Sequence, residues 1–294
     1  MAPVITFLTD FGLQDGYVAA MKGVVLGIAP EARLVDITHL IPPQDIRWGS
    51  YILKSCYAEF PPGTIHVAVV DPGVGTHRRA IAVQTSRFIF VGPDNGLFSY
   101  VLEEEAFAEV SLLENRSLFR SAISPTFHGR DIFAPVAAHL AAGAPFQALG
   151  PAVAPVVSPW VRPIIAASFL DGEVLGIDRF GNIVTNIQRK HLADWAHESD
   201  FEIFLEDQKI PVLASTYADL PAGHPLALWG SSNHLEIAVN QGHAATFYGA
   251  RPGQRVRLMR LKNKEEKSGT EKGTHFSGRS LSGAGGVVSP AEIA

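Results

Sequence analysis

Three short stretches carry side chains that could do chemistry together. The first is Thr9-Asp10-Phe11-Gly12, continuing to Asp15. The second is Asp71-Pro72-Gly73-Val74-Gly75-Thr76-His77-Arg78-Arg79. The third is Thr126-Phe127-His128-Gly129-Arg130-Asp131. A carboxylate such as Asp10, placed between a strand and a turn, can accept two hydroxyl hydrogen bonds, the geometry a ribose diol offers. The same position also suits an Asx-turn. Asp71 is followed by Pro72, Gly73 and Gly75, which force a tight loop and let a ligand approach the backbone closely. Arg78, or its neighbour Arg79, can return to pair with Asp71, hold it ionised and fix its direction. A purely structural turn with a surface ion pair would read the same way. His128 sits in a turn entering a helix, where a helix N-terminus disfavours the imidazolium. A neutral imidazole can orient or deprotonate a water. Asp131 is expected to cap that helix.

Further polar turns lie later in the chain. Asp178-Arg179-Phe180-Gly181-Asn182 and Ser231-Ser232-Asn233-His234 both precede apolar runs. Each could be a hairpin loop, and each also offers amides and hydroxyls to a purine or an amino acid. Gly92-Pro93-Asp94-Asn95-Gly96 reads first as a turn. Neither Cys/His zinc spacing nor His-Glu-x-x-His occurs, so no metal is expected. The Asp71 loop lacks the Gly-Lys-Ser/Thr ending of a phosphate-binding loop.

These stretches need a scaffold. Residues 4–8 read as a buried strand, 17–28 as a helix stopped by Pro30, 33–38 as a strand, 45–60 as a helix and 64–70 as a Val-rich strand. Strand–helix alternation of this kind favours a parallel sheet with helices on both faces. Residues 80–84 and 88–91 extend the sheet, and 131–142 form another helix. Pro151, Pro155, Pro159 and Pro163 crowd one segment and mark a linker. Beyond it, 173–177, 183–187, 201–204, 226–229 and 255–261 are short strands of a β-rich, barrel-like part. The expected class is therefore α/β: an N-terminal parallel-sheet, sandwich-like α/β domain over 1–155, then a smaller C-terminal β-barrel domain over 164–262. The polar stretch 263–294 reads as a disordered tail.

Composition narrows the partners. The 294 residues carry a formal net charge of −5, with no Lys/Arg cluster in the folded part, so nucleic acid is not an expected partner. No apolar run is long enough to span a bilayer, and the N-terminus lacks a basic signal region. No membrane association and a cytoplasmic location are the expectations. The single cysteine, Cys56, excludes an intramolecular disulfide and is expected as a buried structural thiol.

Taken in order, five segments resemble one family. They are Thr9-Asp10-Phe11-Gly12, Val70-Asp71-Pro72-Gly73-Val74-Gly75-Thr76, Thr126 to Asp131, Asp178 to Asn182, and Leu235-Glu236-Ile237-Ala238-Val239-Asn240. The chain resembles the S-adenosylmethionine (SAM) hydroxide adenosyltransferases, also called SAM hydrolases, relatives of SAM-dependent fluorinases and chlorinases. The resemblance implies an N-terminal α/β domain, a C-terminal β-barrel and a homotrimer with SAM bound between subunits. It implies that SAM is cleaved by water to adenosine and methionine, with no cofactor, SAM being the substrate. An Asp71, Arg78 and His128 triad would place the water, with Asp71 or His128 taking its proton. Asp10 would hold the ribose hydroxyls. Asp178 and Ser231 would lie near the methionine part, Asn182 near the adenine, and Tyr217 would pack on the adenine. Gln44 follows Pro43 where the halogenases place a Trp, and the halogenases lack the triad.

Overall fold

The structure, a computed structural model, describes residues 2–106, 108–193, 195 and 201–261. The expected tail over 263–294 lies outside the described residues.

The chain opens with strand β1 (Val4–Thr9), helix α1 (Tyr17–Ile28), β2 (Arg33–Thr38), α2 (Ile46–Lys54) and β3 (Ile65–Val69). There follow β4 (Ala80–Thr85), β5 (Ile89–Pro93), α3 (Ser99–Glu104), β6 (Ala108–Leu112) and α4 (Ala134–Ala141). Six strands form one sheet in the order β2-β1-β3-β5-β4-β6. The first four run parallel, but β4 lies antiparallel to both β5 and β6. The expected parallel sheet is therefore mixed at one edge. The cause is local: only three residues join β4 to β5, and a connection that short must reverse the chain.

Side chains alternate across this sheet. Ile5, Phe7, Val67 and Val69 face one core with Met21 and Val25 of α1 and Val136 and Ala137 of α4. Leu8, Ala68 and Val70 face the other with Tyr51 and Leu53 of α2 and Tyr100 of α3. Period-two strands that are apolar on both faces need helices on both sides, which gives the sandwich.

The second sheet has β7 (Ile164–Ile165), β8 (Phe169–Ile177), β9 (Ile183–Gln188), β10 (Phe201–Leu205), β11 (Gln208–Ile210), β12 (Pro225–Trp229), β13 (His234–Val239) and β14 (Arg255–Arg260), with a short helix α5 (Ala244–Tyr248). Its strands pair antiparallel in the order β11-β10-β14-β8-β9-β13-β12, with β7 on β8. The two edges nearly meet. The Ala227 amide donates to Val212 O and the Ala214 amide to Ala227 O, both at 2.8 Å, joining β12 to the segment after β11. That closure makes the sheet barrel-like and removes most of its free edge.

The two sheets belong to one compact unit. α2 couples them: Trp48 lies so close to Gly176 on β8 that a Cβ there would stand 2.2 Å from the indole. No helix among the described residues is long and apolar enough to cross a membrane. The helix expected over 45–60 ends at Lys54, and a 3₁₀ turn follows at Tyr57–Glu59. Cys56 thus sits in a turn, only partly buried, with its thiol donating to Ile52 O.

Candidate active site

Sheet register explains why two distant carboxylates meet. β1 and β3 are parallel neighbours with Thr9 opposite Val69. The loops leaving their carboxyl ends therefore emerge side by side, one carrying Asp10 and the other Asp71. Asp10 accepts the Gln44 amide at 2.8 Å. Burial raises the Asp10 carboxyl above its ordinary range, and repulsion from Asp71 adds to this against the Gln44 hydrogen bond. Gln44 itself is held at a φ of 67°.

The loop after Asp71 is a run of tight turns. The Val74 amide donates to Asp71 O, and the Thr76 amide and hydroxyl both donate to Gly73 O. This folding returns Arg78 onto Asp71. Arg78 Nε donates to Asp71 Oδ1 at 3.0 Å and Nη2 to Oδ2 at 2.5 Å, a two-pronged pair buried on both sides. Arg79 is committed elsewhere, to Asp94 and to Ala154 O. Arg78 is thus the arginine that pairs with Asp71.

His128 completes the cluster. Arg78 Nη2 stands 3.1 Å from His128 Nδ1. Burial lowers the imidazole's affinity for a proton, and the Arg78 charge lowers it further, against weaker opposing effects of Asp71 and Asp131. Burial and Arg78, not the helix end, are the main causes. A guanidinium has only donors, so Nδ1 must accept, and the neutral ring carries its hydrogen on Nε2.

Gly75 has a different task from the one its sequence suggests. At φ +76°, a Cβ on it would lie 2.2 Å from Pro125 O. The close approach is to the loop that bears His128, not to a ligand alone. Asp131 also differs from expectation. It is not a helix cap but lies inside a π-helical turn, Gly129–Phe133, fully buried. It accepts Arg130 at 2.7 and 2.9 Å, Arg120 at 3.2 Å and the Ser124 amide at 2.9 Å. Burial would raise its carboxyl, but these donors outweigh it and hold the group low. Because the turn starts at Gly129, its cap position is His128; Asp131 lies three residues past it and instead fastens the 120–124 segment behind His128.

The other expected residues gather elsewhere. Asp178, Asn182, Tyr217 and Ser231 all line one cavity of about 800 Å³ in the second half of the chain. None of them lines the small cleft at Asp71 and His128. Asp178 shapes its own loop: Oδ1 accepts the Phe180 and Asn182 amides at 2.8 Å each, and Oδ2 accepts the Asn182 side chain at 2.9 Å. Phe180, at the tip of that loop, is 76% exposed. Tyr217 donates to Glu236 Oε2 at 3.2 Å. Burial and nearby Glu236 push its phenol up to about 12, so it stays a donor. The sequence reading passed over Glu236 as a site residue. Its signal is the one charge, second in the run Leu235–Val239.

Comparison with known proteins settles the family. Residues 5–150 match the SAM hydroxide adenosyltransferase N-terminal domain, and residues 172–257 match the C-terminal domain. The chain belongs to this family. A relative named (R)-S-adenosyl-L-methionine hydrolase, from Thermus thermophilus, is 42% identical over 88% of this chain and 100% of its own length. A fluorinase from Actinoplanes sp. is 28% identical over 88% of this chain and 98% of its own. A crystal structure of an uncharacterized conserved protein from Thermotoga maritima superposes with a TM-score of 0.80 at 38% identity, covering 87% of this chain and all of that one. As a member of the family, the chain carries both of its domains on the two sheets described above.

Proposed function

We propose that this protein hydrolyses S-adenosylmethionine to adenosine and methionine, by attack of a water or hydroxide on the ribose C5′. The observation that carries the reading is the contact chain Asp71–Arg78–His128, already assembled within one chain. In the reaction an oxygen–C5′ bond forms while the C5′–sulfur bond breaks, its electron pair going to the sulfonium. The leaving group is neutral methionine, so neither a general acid nor a cofactor is needed. What the protein must supply is position and a destination for the proton.

His128 supplies position. With Nδ1 occupied by Arg78, it offers Nε2–H to the attacking oxygen and has no lone pair free there to take a proton. Asp71 is the better acceptor, because each of its oxygens takes one hydrogen bond from Arg78 and keeps one lone pair. The Arg78 charge favours hydroxide character beside it. Asp10, next to Asp71, would hold the ribose diol.

The cavity around Asp178, Asn182, Tyr217 and Ser231 would take the adenine and methionine ends. Since the two halves form separate clefts in one chain, the reading includes a homotrimer in which one subunit's cleft faces a neighbour's cavity. Exposed Phe180 beside the cavity, and exposed Leu13 and Leu40 near the Asp10 loop, support such a junction. Light scattering of the purified protein should give three copies.

The test of the reaction is to incubate the protein with each sulfonium epimer of SAM, with and without chloride and a chelator, and to separate the products. Equimolar adenosine and methionine, indifferent to the chelator, is the expected result. The (R) epimer should be the better substrate, in keeping with the name of the Thermus relative. Chlorinated nucleoside, or intact SAM recovered from the protein, would overturn the reading.

A further inference from the structure

The turn that carries Ser231 is held from outside the barrel. The Asn233 amide donates to Gly230 O at 2.9 Å, so Ser231 and Ser232 are the central residues of a tight turn between β12 and β13. The tip of such a turn is ordinarily loose. Here Ser232 is gripped twice by α2, a helix of the other half of the chain. Lys54 Nζ donates to Ser232 O at 2.7 Å, and Tyr51 Oη and Ser232 Oγ share a hydrogen bond of 3.0 Å. Ser231, the next residue back, lines the cavity that also holds Asp178 and Tyr217. Two holds on Ser232 leave its neighbour in the turn little freedom.

The helix that makes this grip is itself fixed. Asp45 caps its start by accepting the Trp48 amide at 2.9 Å, and the Trp48 ring stands against Gly176 and stacks on Tyr51. Burial pushes the Tyr51 phenol up to about 12, so its hydroxyl keeps its hydrogen. Lys54 is the more telling residue. Its side chain is only 9% exposed, and burial works against its charge, opposed by the attraction of Glu104 at 3.6 Å. An apolar side chain could fill the same space between the halves without that desolvation cost. What the ammonium adds is a donor aimed at one carbonyl of one turn. We infer that Lys54 is a positioning residue which, with Tyr51, fixes the direction in which Ser231 meets the substrate. This rests on the SAM reading and deepens it: the rim of the barrel's cavity is set from the half of the chain that carries Asp71.

The test is a double-mutant cycle between Lys54→Met and Ser231→Ala, read in KM and kcat for SAM. Methionine keeps the length of the stem and removes the donor. Each single substitution should raise KM about fivefold, the size of one net hydrogen bond, with kcat close to that of the wild type. The double variant should also show a rise of about fivefold, because a Ser231 that is no longer aimed has nothing further to lose; independent effects would multiply to about 25-fold. Lys54→Arg, which keeps a donor, should recover part of the KM. Should Lys54→Met fail to fold, Tyr51→Phe, which removes the other hold on Ser232, should show the same non-additivity with Ser231→Ala. A merely structural lysine would, when replaced, lower the melting temperature and the active fraction, and with it kcat, while leaving KM alone. That outcome, or effects that multiply in the double variant, or a KM that neither single substitution moves, would overturn the assignment while leaving SAM hydrolysis standing. A wild type that forms no adenosine would overturn both.

Discussion

The two halves of the site are prepared in opposite ways. At the first sheet, the polar groups satisfy one another before any ligand arrives. Asp71, Arg78 and His128 are linked by direct contacts, and Asp131 with its two arginines braces the turn behind them. At the barrel, the wall of the cavity holds a buried carboxylate with one hydrogen bond, and a phenylalanine that projects into solvent. A group that must direct a water needs a fixed geometry, and mutual hydrogen bonds provide one. A group that must recognise a charged ligand needs unused capacity, which the ligand then fills. Under the proposed function the contrast would separate turnover from recognition, and variants on the two sides should divide the same way.

Arg78→Lys should give the largest effect. An ammonium cannot reproduce the planar fork that reaches both oxygens of Asp71 and Nδ1 of His128. The charge is kept, which avoids the roughly 3–5 kcal/mol cost of leaving a buried carboxylate unpaired. We expect kcat to fall by about 10²–10³, as for loss of an oriented donor, with KM for SAM little changed. Steady-state kinetics measure this. A KM change as large as the kcat change would mean that the cluster serves recognition as much as turnover.

Tyr217→Leu should have a smaller effect on the other parameter. It removes the aromatic wall and the hydrogen bond to Glu236 while keeping an apolar side chain. Loss of a base-stacking ring costs about 1–3 kcal/mol per base, so KM should rise by about tenfold with kcat nearly intact. If kcat fell instead, the cavity would be acting on the reacting atoms, and the contrast between the halves would fail.

The sequence showed the Asp71–Arg78–His128 cluster more clearly than the cavity around Asp178, for a physical reason. Residues that follow parallel strands land at one end of the sheet whatever the details, so Asp10 and Asp71 could be placed together from strand order alone. The ends of α1 and β2 were legible because Pro30 and the alternation of apolar residues mark them. The short helix α3 was not read, since six residues carry too little periodicity. The antiparallel turn of β4 follows from the length of one connection, which strand patterns do not reveal. The choice of Arg78 over Arg79 is decided by Asp94, a residue read only as part of a turn. Glu236 was missed because its importance comes from what surrounds it. Only the cavity, the hydrogen on Gly230 and a lining that has no Lys or Arg among the described residues give it meaning.

The smallest expected effect tests whether the contrast stops at the site or extends into the core. Each sheet buries one histidine. His66 on β3 stacks on Phe90 and bonds to Thr6, and His234 on β13 donates to Thr185 O between the rings of Tyr51 and Tyr100. Burial drives both imidazoles down to about 3 from an ordinary 6.5. Since the folded values lie below the unfolded one, the unfolded chain binds more protons as pH falls through 6.5, and stability declines. Between pH 7 and pH 6 each histidine should contribute a loss of roughly 0.7 kcal/mol. His128 and His191, also lowered, act in the same direction. Urea unfolding of the wild type, His66→Gln and His234→Gln at the two pH values measures the shares. Removing either histidine should flatten the pH dependence by a similar amount, because both cores exclude water to the same degree. A flattening seen with only one of them would show that the two halves differ in their cores as well, and the division between turnover and recognition would then have a basis deeper than the side chains that line the clefts.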